Sequence, residues 1–217
     1  MNKKLIKEHL LSIVLVGDFN PKIFQPEWFY KIGLIREDEA SNPIDLISHA
    51  EIMSFNLGWI KVEINRQKFT VYTEQSAYFD LARDFTIGTF KILKHTPIKM
   101  LGINNHIHVG IYDKQSWNSF ADKVAPDSLL KKGLPKGELE QLTIKEERSN
   151  PKGYTRLTVQ PSLTHFPGAY FDINNHFEID QNSKELGCKE IISILENNWK
   201  ETEDKTLNIL SNIWDNK

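Results

Sequence analysis

The sequence predicts an α+β fold: a ferredoxin-like β-α-β-β-α-β lobe, then a three-stranded antiparallel meander and a long C-terminal helix. Three observations predict it. Along the first half, apolar spacing switches between a period of two and a helical period. The interval 125–137, with Pro126, Gly133, Pro135 and Gly137, breaks that pattern. Near the C-terminus a three-four spacing joins Ile192, Leu195, Trp199, Thr202, Thr206, Leu210 and Ile213. Together they divide the chain into residues 1–130 and 138–217.

Each element has a local reason. Leu10 to Val16 is β-branched and apolar on both faces, which suits a central strand covered on both sides. A short helix follows Asn20-Pro21, with Pro26 at its first position and Gly33 just past its end. Phe24, Trp28, Phe29 and Ile32 share one side of it and are expected in the core. Residues 35–47 are polar, with Glu37-Asp38-Glu39 and Asn42-Pro43, and read as a surface loop. Ile60, Val62 and Ile64 alternate with Lys61 and Glu63, turn at Asn65-Arg66-Gln67-Lys68, and return through Phe69 and Val71. From Ser76 to Leu93 the period is helical, with Leu81, Phe85 and Ile92 on one stripe; Gly88 on that stripe implies close approach to a strand.

Ile98 to Ile111 alternates most clearly: Leu101, Ile103, Ile107, Val109 and Ile111 on one face, Met100, Gly102, Asn104, His106 and His108 on the other. Asp113 caps a helix bearing Trp117, Phe120 and Val124. Strands over 138–148 and 154–160 flank Asn150-Pro151-Lys152-Gly153, ordered as a type I turn prefers, and a third strand covers 169–177. The chain then reads as helix from Lys184, roughly 45 Å at about 1.5 Å per residue, longer than one small lobe, so it is expected to bend near Thr202 to Lys205, to pack across both lobes or to meet another subunit.

Composition narrows the function classes. The 217 residues are 40% hydrophobic and 26% charged, as in globular proteins. Lys plus Arg is 27 against 29 Asp plus Glu, a formal net charge of -2, so no global basic field gathers nucleic acid. One cysteine, Cys188, excludes an internal disulfide and a cysteine-based metal site. The basic start Met1-Asn2-Lys3-Lys4-Leu5 precedes an apolar run too short for a signal core, and no stretch reaches the roughly 20 apolar residues of a membrane helix. The expectation is a cytoplasmic chain that binds no membrane and no cofactor.

His106-Ile107-His108 places two imidazoles on one strand face beside Asn104, but a zinc site needs a third ligand. Asp172, Asp180, His165 and His176 are not placed nearby by any local pattern. Paired His-x-Thr/Ser motifs, a nucleophile elbow, a P-loop and a dinucleotide fingerprint are all missing. Cys188 follows Gly187 at a helix start, without a Cys-His pattern. Lys131, Lys132 and Lys136 form a basic cluster that Lys145, Arg148, Lys152 and Arg156 extend, and a ferredoxin-like sheet can offer aromatics for stacking.

Two segments carry a resemblance. Met100-Leu101-Gly102-Ile103-Asn104-Asn105 follows a helix opening with Tyr78 and Phe79, and Tyr170-Phe171-Asp172-Ile173-Asn174 leads toward the last helix. This resembles a sporadically distributed bacterial family of unknown function, with a Gly-Leu-Arg-Tyr-Ile-Asn-like strand in its first lobe and a Leu-Asp-Ile-Asp-like strand in its second. Ile103-Asn104 stands here where that family places Arg-Tyr. The resemblance implies two α+β lobes and an accessory or mobile-element setting such as phage defence; it implies no catalytic residue. The first expectation is therefore a non-catalytic protein-binding or assembly subunit, with a protein partner or second copy. The alternatives are a small-ligand protein or enzyme with a site between the lobes at Asn104, His106, His108 and Asp172, and a nucleic-acid module using Lys131, Lys132 and Lys136.

Overall fold

The computed structural model describes residues 5–125, 133–134, 136–180 and 187–215. Among them are strands β1 (Ile6–Gly17), β2 (Ile44–Ser48), β3 (Ile52–Asn56), β4 (Lys61–Asn65), β5 (Lys68–Thr73), β6 (Ile98–Gly110), β7 (Leu142–Ser149), β8 (Lys152–Pro161) and β9 (Gly168–Glu178). The helices are α1 (Pro26–Lys31), α2 (Glu37–Ser41), α3 (Phe79–Ile92), α4 (Lys114–Val124), α5 (Cys188–Asn197) and α6 (Trp199–Asp215). All nine strands join one antiparallel sheet in the order β2-β3-β4-β5-β1-β6-β9-β8-β7. The α+β class holds. The ferredoxin-like lobe and the meander are not set apart, because β6 pairs with β9 from Met100↔Glu178 to Gly110↔Gly168.

One face of the sheet makes the core. In register across it lie Phe55, Val62, Val71, Ile13 and Ile103, then Met53, Ile64, Phe69, Leu15, Leu101 and Phe177. Farther along come Ile107, Phe171 and Val159. Each of the six helices named adds buried residues to this face: Phe29, Ala40, Phe85, Trp117, Ile191 and, from α6, Trp199 and Leu210. The side chains fall into two apolar clusters, one around Phe19, Phe24, Phe29, Phe69 and Phe90, the other around Ile107, Trp117, Phe171 and Leu210. Each fully buried Phe contributes about 1.5–3 kcal/mol from area alone.

Between the clusters runs a buried polar seam. His9 Nε2 lies 2.9 Å from Asn105 Oδ1, and Asn105 Nδ2 donates to Thr206 Oγ1 at 3.4 Å. The Thr206 hydroxyl donates on to Thr202 O at 3.0 Å. An amide oxygen only accepts, so His9 carries its proton on Nε2. Beyond them Thr155 donates to Asn175 Oδ1 at 3.0 Å. The seam ties β1 and β6 to α6, which crosses from one cluster to the other.

Several local expectations change. The 35–47 loop contains α2 and the start of β2, and the added strands β2 and β3 lengthen the sheet beyond β4. On α3 the inward residues are Phe79, Ala82, Phe85, Thr86 and Phe90, while Leu81 and Ile92 are 49% and 57% exposed. The stripe is rotated because aromatic Phe79 and Phe90 take the wall. Gly88 meets the Leu34 side chain after α1, not a strand; a Cβ there would sit 2.4 Å from Leu34 Cδ2. The β7–β8 turn lies one residue earlier than a type I turn over 150–153: Ser149 pairs with Lys152 around a cis Asn150-Pro151 bond, and Gly153 already belongs to β8. The C-terminal helix is broken at Asn198, where α5 ends before the 202–205 bend expected for it. Residues 184–186 of that expected helix lie outside the described residues.

Candidate functional site

The opposite face of the same strands is polar. One register row reads Asn56, Lys61, Tyr72, Ser12, Asn104, Asn174, Arg156 and Lys145, from β3 to β7 across eight strands. At about 4.8 Å per strand it is roughly 34 Å wide. The neighbouring row reads Leu10, His106, Asp172, Thr158 and Thr143, and the next reads Glu8, His108, Tyr170 and Gln160. The period-two alternation of β6 and β9 forces this segregation: Ile103, Ile107, Phe171 and Ile173 take the helix side, so their neighbours turn outward.

Asn104, His106, His108 and Asp172, separated by up to 68 positions in sequence, therefore lie on adjacent strands of one face. His106 and Asp172 are direct register partners, as are Asn104 and Asn174. His106 Nδ1 shares a 2.7 Å hydrogen bond with the Tyr170 hydroxyl and lies 3.4 Å from Asp172 Oδ1 without bonding it. His108 Nδ1 lies 2.9 Å from Ser162 Oγ and 3.3 Å from Thr164 Oγ1. The Tyr170 ring sits against both imidazoles, 4.7 Å from His108 and 6.2 Å from His106. Glu8 and His165 pair at 2.8 Å beside His108.

Three side-chain oxygens here are covered and meet no donor: Asn104 Oδ1, Asp172 Oδ1 and Asn174 Oδ1. Each such atom costs about 1–3 kcal/mol of desolvation until a donor reaches it. The side chains themselves stay accessible, His106 at 32% and Asp172 at 34% exposed. Burial lowers the His108 pKa, and burial followed by the Asp172 charge pushes the Tyr170 hydroxyl up to about 12. Tyr170 thus remains a protonated donor at neutral pH. A cleft of about 430 Å³ opens beside the histidines, lined by Glu8, Leu10, Glu74, His106, His108 and Tyr170.

Farther along the face, Tyr154 stacks on His176 with centroids 4.5 Å apart, and Lys145 and Arg156 lie over the same Tyr154 ring at 4.3 and 5.1 Å. Burial lowers the pKa of His176. Lys131 and Lys132 lie outside the described residues. Lys136 is exposed beside Trp117 and Ile144 on the helix side, so it does not join Lys145 and Arg156. Cys188 is buried against Leu93 O and Thr96 O. Among the described residues no three His, Cys, Asp or Glu groups are placed to share a metal ion.

Sequence reasoning missed Tyr170, Asn174, Tyr154 and His176 as members of the face. The signal was present: polar Tyr170, Asp172, Asn174 and His176 alternate with apolar Phe171, Ile173 and Phe177. What no local pattern supplied was that β9 lies beside β6. No helix among the described residues is long and apolar enough to cross a membrane. No protein-family model and no curated protein matches the chain.

Proposed function

We propose that this chain is a non-catalytic binding subunit whose recognition surface is the open face of its sheet. The observation that carries the reading is the row of partly exposed polar side chains Asn104, His106, Asp172 and Asn174 on adjacent strands β6 and β9, beside a cleft of about 430 Å³. Side chains so placed meet a ligand that brings polar groups of its own. Ser162, whose Oγ lies 2.9 Å from His108 Nδ1, is only 1% exposed, which sets it apart from the accessible side chains.

Assembly with a protein partner or second copy has separate support at the sheet edge. Strand β2 pairs with β3 at only three positions, and its Ile44, Leu46 and Ile47 are 52%, 46% and 52% exposed. An edge of that kind accepts an added strand. The β4-β5-β1-β6 order, with α3 between β5 and β6, supports reading that half as the split β-α-β of a ferredoxin-like lobe. The cytoplasmic location and the accessory setting, phage defence included, belong to the same proposal.

A second reading draws on the 2.7 Å contact between His106 and Tyr170 beside Asp172, a set able to move a proton between a phenol and an imidazole. Under it, His106→Ala with His108→Ala abolishes the biological activity without lowering the melting temperature.

Native mass spectrometry of the chain from its own host, neighbouring genes intact, tests the binding reading. The expected result is a co-purifying ligand or partner that an Asn104→Ala, Asp172→Ala double variant loses while keeping its fold. A wild-type chain isolated alone and unliganded overturns the reading.

A further inference from the structure

Resting on that binding reading, we infer that the free edge of β1 at Ile6–His9 takes an added strand from a partner protein. The segment it fits is short and extended, with a basic residue between two apolar ones. Strand β5 ends at Thr73, opposite Leu11, whereas β1 runs on to Ile6 with β6 on its other side only. Exposure follows the gap: Leu11, Ser12 and Ile13 are buried, while Lys7 and Glu8 are exposed. In an antiparallel ladder alternate residues aim their N–H and C=O at opposite neighbours. About half of the backbone groups over Ile6–His9 therefore face the gap, and among the described residues no turn or loop backbone bonds to them.

Two cavities flank this edge and meet at it, sharing Ile6, His9 and Ser76. On the helix side a cavity of about 640 Å³ lies against Leu11, Phe79, Ile103 and Trp199, around the His9–Asn105–Thr206 seam. The register shift between Ile6 and Glu8, opposite Val109 and His108, turns Ile6 to that side with His9. On the open face lies the cleft of about 430 Å³ that holds Glu8 and Glu74. An added strand turns successive side chains to opposite faces, so its residues enter the two cavities in turn. Main-chain bonds then supply affinity, and the alternate cavities supply selectivity. The helix-side walls suit an apolar side chain. Glu74 is exposed and in no ion pair among the described residues, and the Lys7 stem runs the other way, across Gly110 of β6. The side chain that matches the open-face cleft is therefore basic.

Selection of the full chain against a phage-displayed library of random nonapeptides, followed by titration of the best synthetic peptide, tests the inference. The expected peptides carry lysine or arginine between two apolar residues. Their binding is expected to slow amide hydrogen exchange over Ile6–His9. Methylating the peptide nitrogens that face β1 should weaken binding at least about tenfold, and methylating the alternate ones should not. Glu74→Lys should weaken the basic peptide, and a peptide with glutamate in place of its basic residue should recover binding to that variant.

Enrichment of no peptide, or of peptides without that pattern, overturns the inference, as does binding that tolerates methylation of every nitrogen. Protection confined to β2 also overturns it, because the added strand then belongs to the other edge. A dimer of the chain alone that protects Ile6–His9 assigns the edge to a second copy and overturns the partner strand. If the library fails but a co-purifying ligand is lost from the Asn104→Ala, Asp172→Ala double variant, the strand assignment falls and the binding reading stands. If neither route yields a ligand or partner, both fall.

Discussion

Replacing Asn105 by alanine should unfold the seam between the two cores. Asn105 is 5% exposed and accepts the His9 Nε2–H at 2.9 Å while donating to Thr206. The alanine leaves a partly buried imidazole N–H without an acceptor, a cost of about 1–3 kcal/mol. The 3.4 Å bond to Thr206 is long and adds about 0.5 kcal/mol. Thr206 keeps its own acceptor, Thr202 O, so it adds no stranded donor. The sum is about 1.5–3.5 kcal/mol, which for a domain of this size lowers Tm by roughly 3–14 °C. Urea titration followed by tryptophan fluorescence measures it, since Trp199 lies buried close to the seam. A cycle with His9→Phe and Asn105→Leu isolates the cause: each single change strands its partner, and the double change strands neither. The double variant should be less destabilised than the sum of the singles by about 1–3 kcal/mol. Additivity within about 0.5 kcal/mol would refute the reasoning, because the loss would then be ordinary packing.

Three further outcomes follow from other parts of the structure. Phe29 is fully buried and touches the rings of Phe24, Trp28, Phe55 and Phe85, so Phe29→Ala should cost about 3–5 kcal/mol with an unchanged urea m-value; a loss under about 1 kcal/mol contradicts the core assignment. Burial lowers the pKa values of His9, His108 and His176, so the unfolded chain binds more protons below its histidine pKa near 6.5. Their stabilisation is complete above pH 6.5 and declines as pH falls through 6.5 toward the folded values; melts between pH 7.5 and 5.5 should show it, with a shallower decline in His9→Gln. Gly187 has φ +93 and a Cβ there would lie 2.5 Å from Ile98 O, whereas Gly58 has φ +83 and open space. Gly58→Ala should cost only the left-handed penalty of about 1–2 kcal/mol, and Gly187→Ala more; equal melting shifts would show that the clash is relieved.

The alternation along β6 and the capping of α4 by Asp113 were legible because both are local. A strand's steric period assigns each side chain to a face, and the Asp113 carboxylate accepts the Ser116 N–H at 2.7 Å three residues on. The candidate residues Asn104, His106 and His108 were legible for the same reason. The helical stripe of Thr202, Thr206 and Leu210 was also read correctly, since all three are buried, although the helix carrying them starts only after the break at Asn198. That break, the rotated stripe of α3 and the edge strand β2 depend on what each element packs against.

The site is where local and tertiary information divide. Sequence alone determined the α+β class and which side chains of β6 and β9 share a face, because pleating and helical pitch act over a few residues. Only the tertiary structure decided that β9 lies against β6, placing Asp172 beside His106 and Asn174 beside Asn104. Strand pairing between distant segments is selected by the burial of two whole apolar faces against α4 and α6, a sum over many contacts that no short stretch of sequence contains.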